Sequence, residues 1–311
     1  MLTRRKALAR MIGIGTAAMA APALGQIAGQ NAGGAGTAGG RSSGILELAY
    51  SSASPRNQLD IHRPEGKGPF PVLLDIHGGG FLTGDKRQLA VPQSVVDAGI
   101  AVVRMNYRLS NQARWPAQQE DVLAAANFLQ ARAGELGLVP GRLALGGRSA
   151  GAFMAVSAAL TMAQEGHPPA AVVDFYGPMD FGSMDADMAR LGIKFKRPPA
   201  DSPESVESLL IGYAVGQRRV EATAMGPVGR LAALDGVRLP PLMIRHGTAD
   251  SIVSAGQAER LRTAWHRADP RAEIDFALLN GEGHGTAGFA SPAVLGQLAG
   301  FLSRHLGGAE S

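Results

Sequence analysis

The sequence predicts an α/β domain with a mostly parallel central sheet, an antiparallel hairpin at its N-terminal side and a short helical insertion. Three observations predict it. Short apolar runs alternate with longer segments of helical periodicity. The 311-residue chain is 45% hydrophobic and 18% charged, enough to bury one large core and unlike a disordered or fibrous composition. The glycines concentrate in an N-terminal stretch and in loops that follow apolar runs.

The N-terminus reads as an address. Residues 1–23 combine a basic start (Arg4, Arg5, Lys6), an apolar stretch from Met11 to Ala20 and small residues at Ala21-Pro22-Ala23. That pattern is expected of a signal peptide recognised by export machinery, which would make the protein periplasmic or secreted. The adjacent arginines before Leu8 resemble a twin-arginine signal, with Ala7 where an aromatic is usual. The apolar stretch is shorter than the roughly 20 residues that span a bilayer. Residues 24–44 are rich in Gly, Ala, Ser, Thr and Gln and predict a flexible linker, so the folded domain is expected over residues 45–311.

Within the domain, Ile45–Tyr50 and Gln58–His62 predict a hairpin with the alternation of a half-exposed edge. Val72–Ile76 and Ile100–Met105 predict buried strands. Pro116 opens a helix with Val122, Ala125, Ala126 and Leu129 on one face. Leu143–Leu145 is the next strand, followed by a small-residue helix from Ala150 to about Gln164. Ala171–Tyr176, Leu242–His246 and Ile274–Leu279 complete the strands, with helices over Ala255–Arg267 and Ser291–His305. Residues 180–230 carry prolines and charges without a strand pattern and are expected to form the insertion.

Charge and cysteine content exclude several chemistries. The formal charge is +4, and part of that excess sits in Arg4, Arg5, Lys6 and Arg10, leaving the rest close to neutral. No basic stripe interleaved with aromatics suggests nucleic acid. With no cysteine, disulfides, thiolate metal sites and a cysteine nucleophile are excluded.

The strongest chemical signal is Gly147-Arg148-Ser149-Ala150-Gly151 between a predicted strand and a predicted helix. A chain turning that sharply needs small flanking residues and presents the serine in a strained conformation. Serine needs a base to become a nucleophile. Among the seven histidines, His284 lies in Glu282-Gly283-His284-Gly285 directly after the last strand, where a loop can reach back over the sheet. His246, at a strand end before Gly247, is expected to shape its loop. The acid that orients the base is expected to be Asp250, just past the penultimate strand, with Asp180 as the alternative. The order Ser149, Asp250, His284 is that of the α/β-hydrolase fold. His77-Gly78-Gly79-Gly80-Phe81 follows a buried strand, and the N–H groups of Gly78, Gly79 and Ala150 are the expected oxyanion donors, with His77 in a structural role. Phe81 and Tyr176, with Met184, Met188 and Phe195 of the insertion, are the candidate lining of an acyl pocket. No metal or cofactor is expected.

With these residues in place the sequence resembles the carboxylesterase/lipase family of α/β hydrolases, in the branch of hormone-sensitive-lipase-like and feruloyl- or acetylxylan-esterase-like enzymes. The likeness rests on Leu59-Asp60-Ile61-His62-Arg63-Pro64, His77–Phe81 with Gly84-Asp85-Lys86, Asn106-Tyr107-Arg108-Leu109, Gly147–Gly151, His246–Asp250 and Gly283–Gly285. It implies metal-free hydrolysis of short acyl esters through an acyl-serine, with small-molecule or oligosaccharide-linked acetyl or feruloyl esters as substrates. Two positions depart from the family pattern: Asp75 in a strand where an apolar residue is usual, and Arg148 in the serine turn where many lipase-like relatives are acidic. The short segment before Ile45 favours the esterase-like branch. Two alternatives use the same motifs: an amidase resembling kynurenine formamidase, and a catalytically silent hydrolase fold that binds a ligand.

Overall fold

The computed structural model describes residues 43–307. The expected signal peptide and almost all of the expected linker lie outside the described residues. The strand β1 (Ser43–Ala49) begins just ahead of the predicted domain start at Ile45. It is followed by β2 (Gln58–Arg63), β3 (Phe70–Ile76), α1 (Gln93–Asp97), β4 (Ala101–Met105), α2 (Ala117–Ala131), β5 (Leu138–Arg148), α3 (Ala150–Gln164) and β6 (Ala171–Phe175). Four short helices form the insertion: α4 (Met184–Arg190), α5 (Val206–Ile211), α6 (Arg219–Met225) and α7 (Pro227–Ala232). Then come β7 (Leu242–Gly247), α8 (Gly256–Ala268), β8 (Ile274–Leu279) and α9 (Pro292–Leu306).

Among the described residues the strands form one eight-stranded sheet in the order β1-β2-β4-β3-β5-β6-β7-β8. The pairs of β2 with β1 and with β4 are antiparallel, and every pair from β4 to β8 is parallel. Strands β3, β4 and β6 are buried along their whole length, as expected of parallel strands covered on both faces. One face packs against α2, α3 and α8 in the larger apolar cluster, and the other against α1 and α9. Helix α3 is buried almost all round, which explains its run of small and apolar residues.

Three expectations change. Strand β2 is not half-exposed: β1 covers its outer edge, Leu59 and Ile61 enter the core, and Asp60 is buried beneath Lys86 and Arg87. Strand β5 starts at Leu138, ahead of Leu143, because the chain resumes pairing beyond an irregular Pro140-Gly141. Helix α1 escaped the sequence reading, since five residues around Val95-Val96 are too short to show a helical period.

The insertion is clamped to the body by polar bonds. Gln257 of α8 accepts from the N–H groups of Met179 and Asp180 and donates to Asp187, and Arg260 makes a paired contact with Asp187 at 2.7 and 2.8 Å. Arg230 of α7 donates to the Ser157 carbonyl and to Gln119 of α2.

Candidate active site

The predicted catalytic and oxyanion residues lie at or just past the C-terminal ends of neighbouring strands. Ser149 follows β5 and caps α3 with φ 54° and ψ −123°, a backbone region that L-residues rarely occupy. Its N–H donates to the Phe175 carbonyl at 2.9 Å, tying the turn to β6. The fold demands glycine here: a Cβ on Gly151 would stand 2.1 Å from the Ile76 carbonyl oxygen. The loop after β3 approaches as closely, since a Cβ on Gly78 would lie 2.9 Å from the Arg148 carbonyl oxygen and 3.2 Å from the Ser149 Cβ.

The two departures from the family pattern meet each other. Arg148 Nη1 donates to Asp75 Oδ1 at 2.7 Å, so the cation beside Ser149 is matched by the carboxylate in the neighbouring strand. A small cavity of about 10 Å³ lies against this pair, lined by Leu73, Gly146, Val173 and Leu298 among others.

The structure brings Ser149, His284 and Asp250 into one hydrogen-bonded chain. Asp250 is fully buried and its Oδ1 accepts from the N–H groups of Ile252 and Val253 at 2.8 and 2.9 Å. Its Oδ2 accepts from His284 Nδ1 at 2.7 Å. A carboxylate only accepts, so Nδ1 carries the proton and Nε2, 2.9 Å from Ser149 Oγ, is left to accept the serine proton. Burial alone would raise the Asp250 pKa, but bonds from His246 and His284 outweigh it and hold the carboxyl below the usual range. Asp180, the alternative acid, is committed elsewhere: its Oδ1 accepts from the Thr223 hydroxyl at 2.6 Å.

The N–H groups of Gly78 and Gly79 donate to no acceptor among the described residues, and Ala150 is the first residue of α3, whose N–H has no intrahelical acceptor. The loop that carries them is anchored from below. His77 stacks on Tyr107 with ring centroids 4.3 Å apart, and its Nδ1 lies 2.7 Å from the Gly78 carbonyl. The Tyr107 hydroxyl donates to the His77 and Gly78 carbonyls. Asn106 accepts from the Lys86 N–H and donates to Asp85, while Lys86 reaches buried Asp60 at 3.1 Å. Arg108 completes the frame through Asp121 of α2. The dispersed motifs around Asp60, Asp85-Lys86 and Asn106–Leu109 therefore form one scaffold beneath the glycine loop. Burial lowers the His77 pKa to about 4 against a partly opposing bond to Gly78, so this ring is neutral at neutral pH.

The candidate pocket residues separate. Tyr176 packs its ring edge-on to His284 at 4.8 Å and to Phe289 at 4.5 Å. Phe81 is 1% exposed and packs edge-on against Phe153 and Phe181, so it belongs to the core at this depth. Met184 and Met188 are also buried, and Phe195 is half-buried under the Arg197 guanidinium. Sequence reasoning did not single out Asp174, whose signal was a lone charge in the apolar strand Ala171–Phe175.

The description BD-FAE matches residues 59–265, from β2 into α8. The chain belongs to the BD-FAE family. Its fold is that of the α/β-hydrolase carboxylesterases. Over 249 residues this BD-FAE chain is 30% identical to "Probable carboxylic ester hydrolase LipM" of Mycobacterium tuberculosis, covering 74% of this chain and 54% of LipM. It is 32% identical over 187 residues to an acetyl-hydrolase of Streptomyces hygroscopicus, covering 58% of this chain and 57% of that one. The chain thus spans about half the length of the curated relatives it matches. A truncated carbohydrate esterase from gut microbiota superposes with a TM-score of 0.72 at 23% identity, over 85% of this chain and 97% of its own, and shares the fold. An esterase of the bacterial hormone-sensitive lipase family gives a TM-score of 0.65 at 26% identity, over 85% of each chain.

Proposed function

We propose that this protein is a serine carboxylesterase that hydrolyses short acyl esters. The observation that carries the proposal is the chain from Ser149 Oγ through His284 to buried Asp250, with bonds of 2.9 and 2.7 Å. In the proposed reaction His284 Nε2 takes the Ser149 proton as Oγ attacks the ester carbonyl. The carbonyl electrons move onto the oxygen, which the N–H groups of Gly78, Gly79 and Ala150 receive at the N-terminus of α3. As the tetrahedral intermediate collapses, the C–O bond to the alcohol breaks and His284 gives the alkoxide its proton, leaving an acyl-serine. Water then attacks the acyl carbon as His284 takes its proton, the bond from the acyl carbon to Ser149 Oγ breaks, His284 returns the proton to Oγ, and the carboxylic acid leaves. Asp250 holds the imidazole in the required tautomer and faces the imidazolium that forms.

The names of the similar proteins, an acetyl-hydrolase and a carbohydrate esterase among them, support acetyl or other short acyl groups on carbohydrate as the substrate class. The basic and apolar residues 1–23 support export, and with it an ester met outside the cytoplasm. The test is hydrolysis of p-nitrophenyl acetate and butyrate, then of acetylated and feruloylated oligosaccharides, by the protein and by Ser149→Ala. Activity on the esters that vanishes in the variant is the expected result. Equal rates in both proteins would remove Ser149 from the mechanism.

A further inference from the structure

Behind the triad lies a second histidine and carboxylate that the proposed reaction does not use. His246 of β7 is fully buried, with Nε2 2.8 Å from the Val253 carbonyl and 3.4 Å from Asp250 Oδ2. A carbonyl only accepts, so Nε2 carries a proton in either ionisation state of the ring. Its other nitrogen, Nδ1, is buried and has no hydrogen-bond partner among the described residues. On the adjacent strand Asp174 is also fully buried: its Oδ1 accepts from the Gly177 N–H at 2.8 Å, and its Oδ2 has no partner among the described residues.

The register joins the two orphans. Asp174 pairs with Ile244, so Asp174 and His246 project from the same face of adjoining parallel strands, one alternation apart. Neither atom has a partner within hydrogen-bond distance among the described residues, so a single water between them would join the two through one shared proton. We propose that Asp174 and His246 share that proton, placing a cationic imidazole against the back of Asp250, and that the pair positions the acid and sets the lower pH limit of turnover. The inference rests on the Ser149–His284–Asp250 reading and adds two positioning residues to it.

The ionisation tendencies agree with this geometry. Burial pushes Asp174 up to about 7. Burial opposes charge on His246, yet its bonds to Asp250 and the Val253 carbonyl prevail and raise its pKa above the ordinary value. Among the described residues no other charge competes closely. Helix α3, packed on this face, has no ionisable residue, and β8 sets Leu278 beside His246. Helix α8 buries Ala258, Leu261 and Trp265, while its Arg260 is held by Asp187 and its Glu259 faces Arg190. Asp180 binds Thr223, and Arg245, on the opposite face, pairs with Asp275 at 2.8 Å.

The consequence is a carboxylate shared by two cations whenever His284 is protonated. A cation at His246 competes with a cation at His284 for that one carboxylate. Removing that cation moves the acid limb of the kcat/KM profile to higher pH. The test is that profile for the intact protein, Ser149→Ala, His246→Gln, Asp174→Asn and the double variant. We expect the limb to move up by about one pH unit in His246→Gln, which is about tenfold in kcat/KM below the limb, with little change above it. Asp174→Asn, which keeps an acceptor for Gly177, moves it in the same direction. The double variant moves it no further than His246→Gln. A uniform loss at every pH, with the limb unmoved in both single variants, would overturn the proposal and leave a structural role. Activity surviving in Ser149→Ala would instead overturn the triad reading, so the two failures are distinguishable. Should His246→Gln fail to fold, side-chain nitrogen NMR of the unaltered protein decides. Protonation of both His246 nitrogens near about pH 7 supports the pair, and a ring neutral from roughly pH 5 to 8 refutes it.

Discussion

Replacing Asp250 by asparagine changes a single acceptor into a donor and tests the proposed mechanism at its most constrained point. The amide oxygen can keep the bonds from the Ile252 and Val253 N–H groups, at 2.8 and 2.9 Å in the wild type. The amide nitrogen then occupies the place of Oδ2, facing His284 Nδ1 at 2.7 Å and His246 Nε2 at 3.4 Å. His284 relieves the clash of donors by moving its proton to Nε2, where it can no longer accept from Ser149. The opposite rotamer restores an acceptor for His284 but leaves two loop amides facing a donor. The equivalent change in another serine hydrolase costs about 10⁴ in kcat, or about 5.4 kcal/mol of transition-state stabilisation at 1.36 kcal/mol per decade. The same loss is expected here, read as p-nitrophenolate release at saturating p-nitrophenyl acetate, with the urea unfolding midpoint measured in parallel. Turnover within about tenfold of wild type in a variant that keeps its midpoint would refute the reasoning. Asp180→Asn is the matched control and should fall by less than that margin.

Two further outcomes follow from packing and from burial. Gly151→Ala places a methyl group 2.1 Å from the Ile76 carbonyl oxygen, so the serine turn has to shift and kcat/KM should fall by about 10². An alanine variant as active as the wild type would contradict the close approach of β3 and the turn. His77, held at about 4 in the folded protein against an ordinary value of about 6.5, binds its proton first in the unfolded chain. Its neutral form therefore contributes stability above about pH 6.5 that is lost as the pH falls towards 4, by about 3 kcal/mol in full. His77→Asn should flatten the wild-type decline in unfolding free energy across that window, and an unchanged slope would show that the ring is not buried in neutral form.

The sheet was legible in the sequence wherever burial on both faces produced a short run apolar but for one charged residue, as at β3, β4 and β6. It was least legible where tertiary cover overrode local pattern. The alternation of Leu59, Asp60, Ile61 and His62 reads as an exposed edge, because no local signal announces that Lys86 and Arg87 will cover the polar side. Ser149, His284 and Asp250 were legible because each occupies a short glycine-flanked loop after a strand, and strand order alone brings such loops together. Asp174 and His246 were not, since their relation depends on the register between β6 and β7, which no spacing along the chain encodes. Phe81 shows the converse: its place in the glycine motif suggested a pocket, and packing against Phe153 and Phe181 turned it into the core.

The base of the proposed triad hangs from the least protected strand of the parallel part of the sheet. Among the described residues strand β8 has a neighbour on one side only, is half-exposed along its length, and is shielded by contacts such as the Arg262 guanidinium 4.8 Å over Phe276. Ser149 and Asp250 follow interior strands. Local opening of β8 therefore separates His284 from Ser149 while the centre of the sheet stays folded. On warming, activity should fade with the hydrogen-exchange protection of the β8 amides, ahead of cooperative unfolding. Reinforcing this edge would then extend the working temperature of the protein without any change in its core.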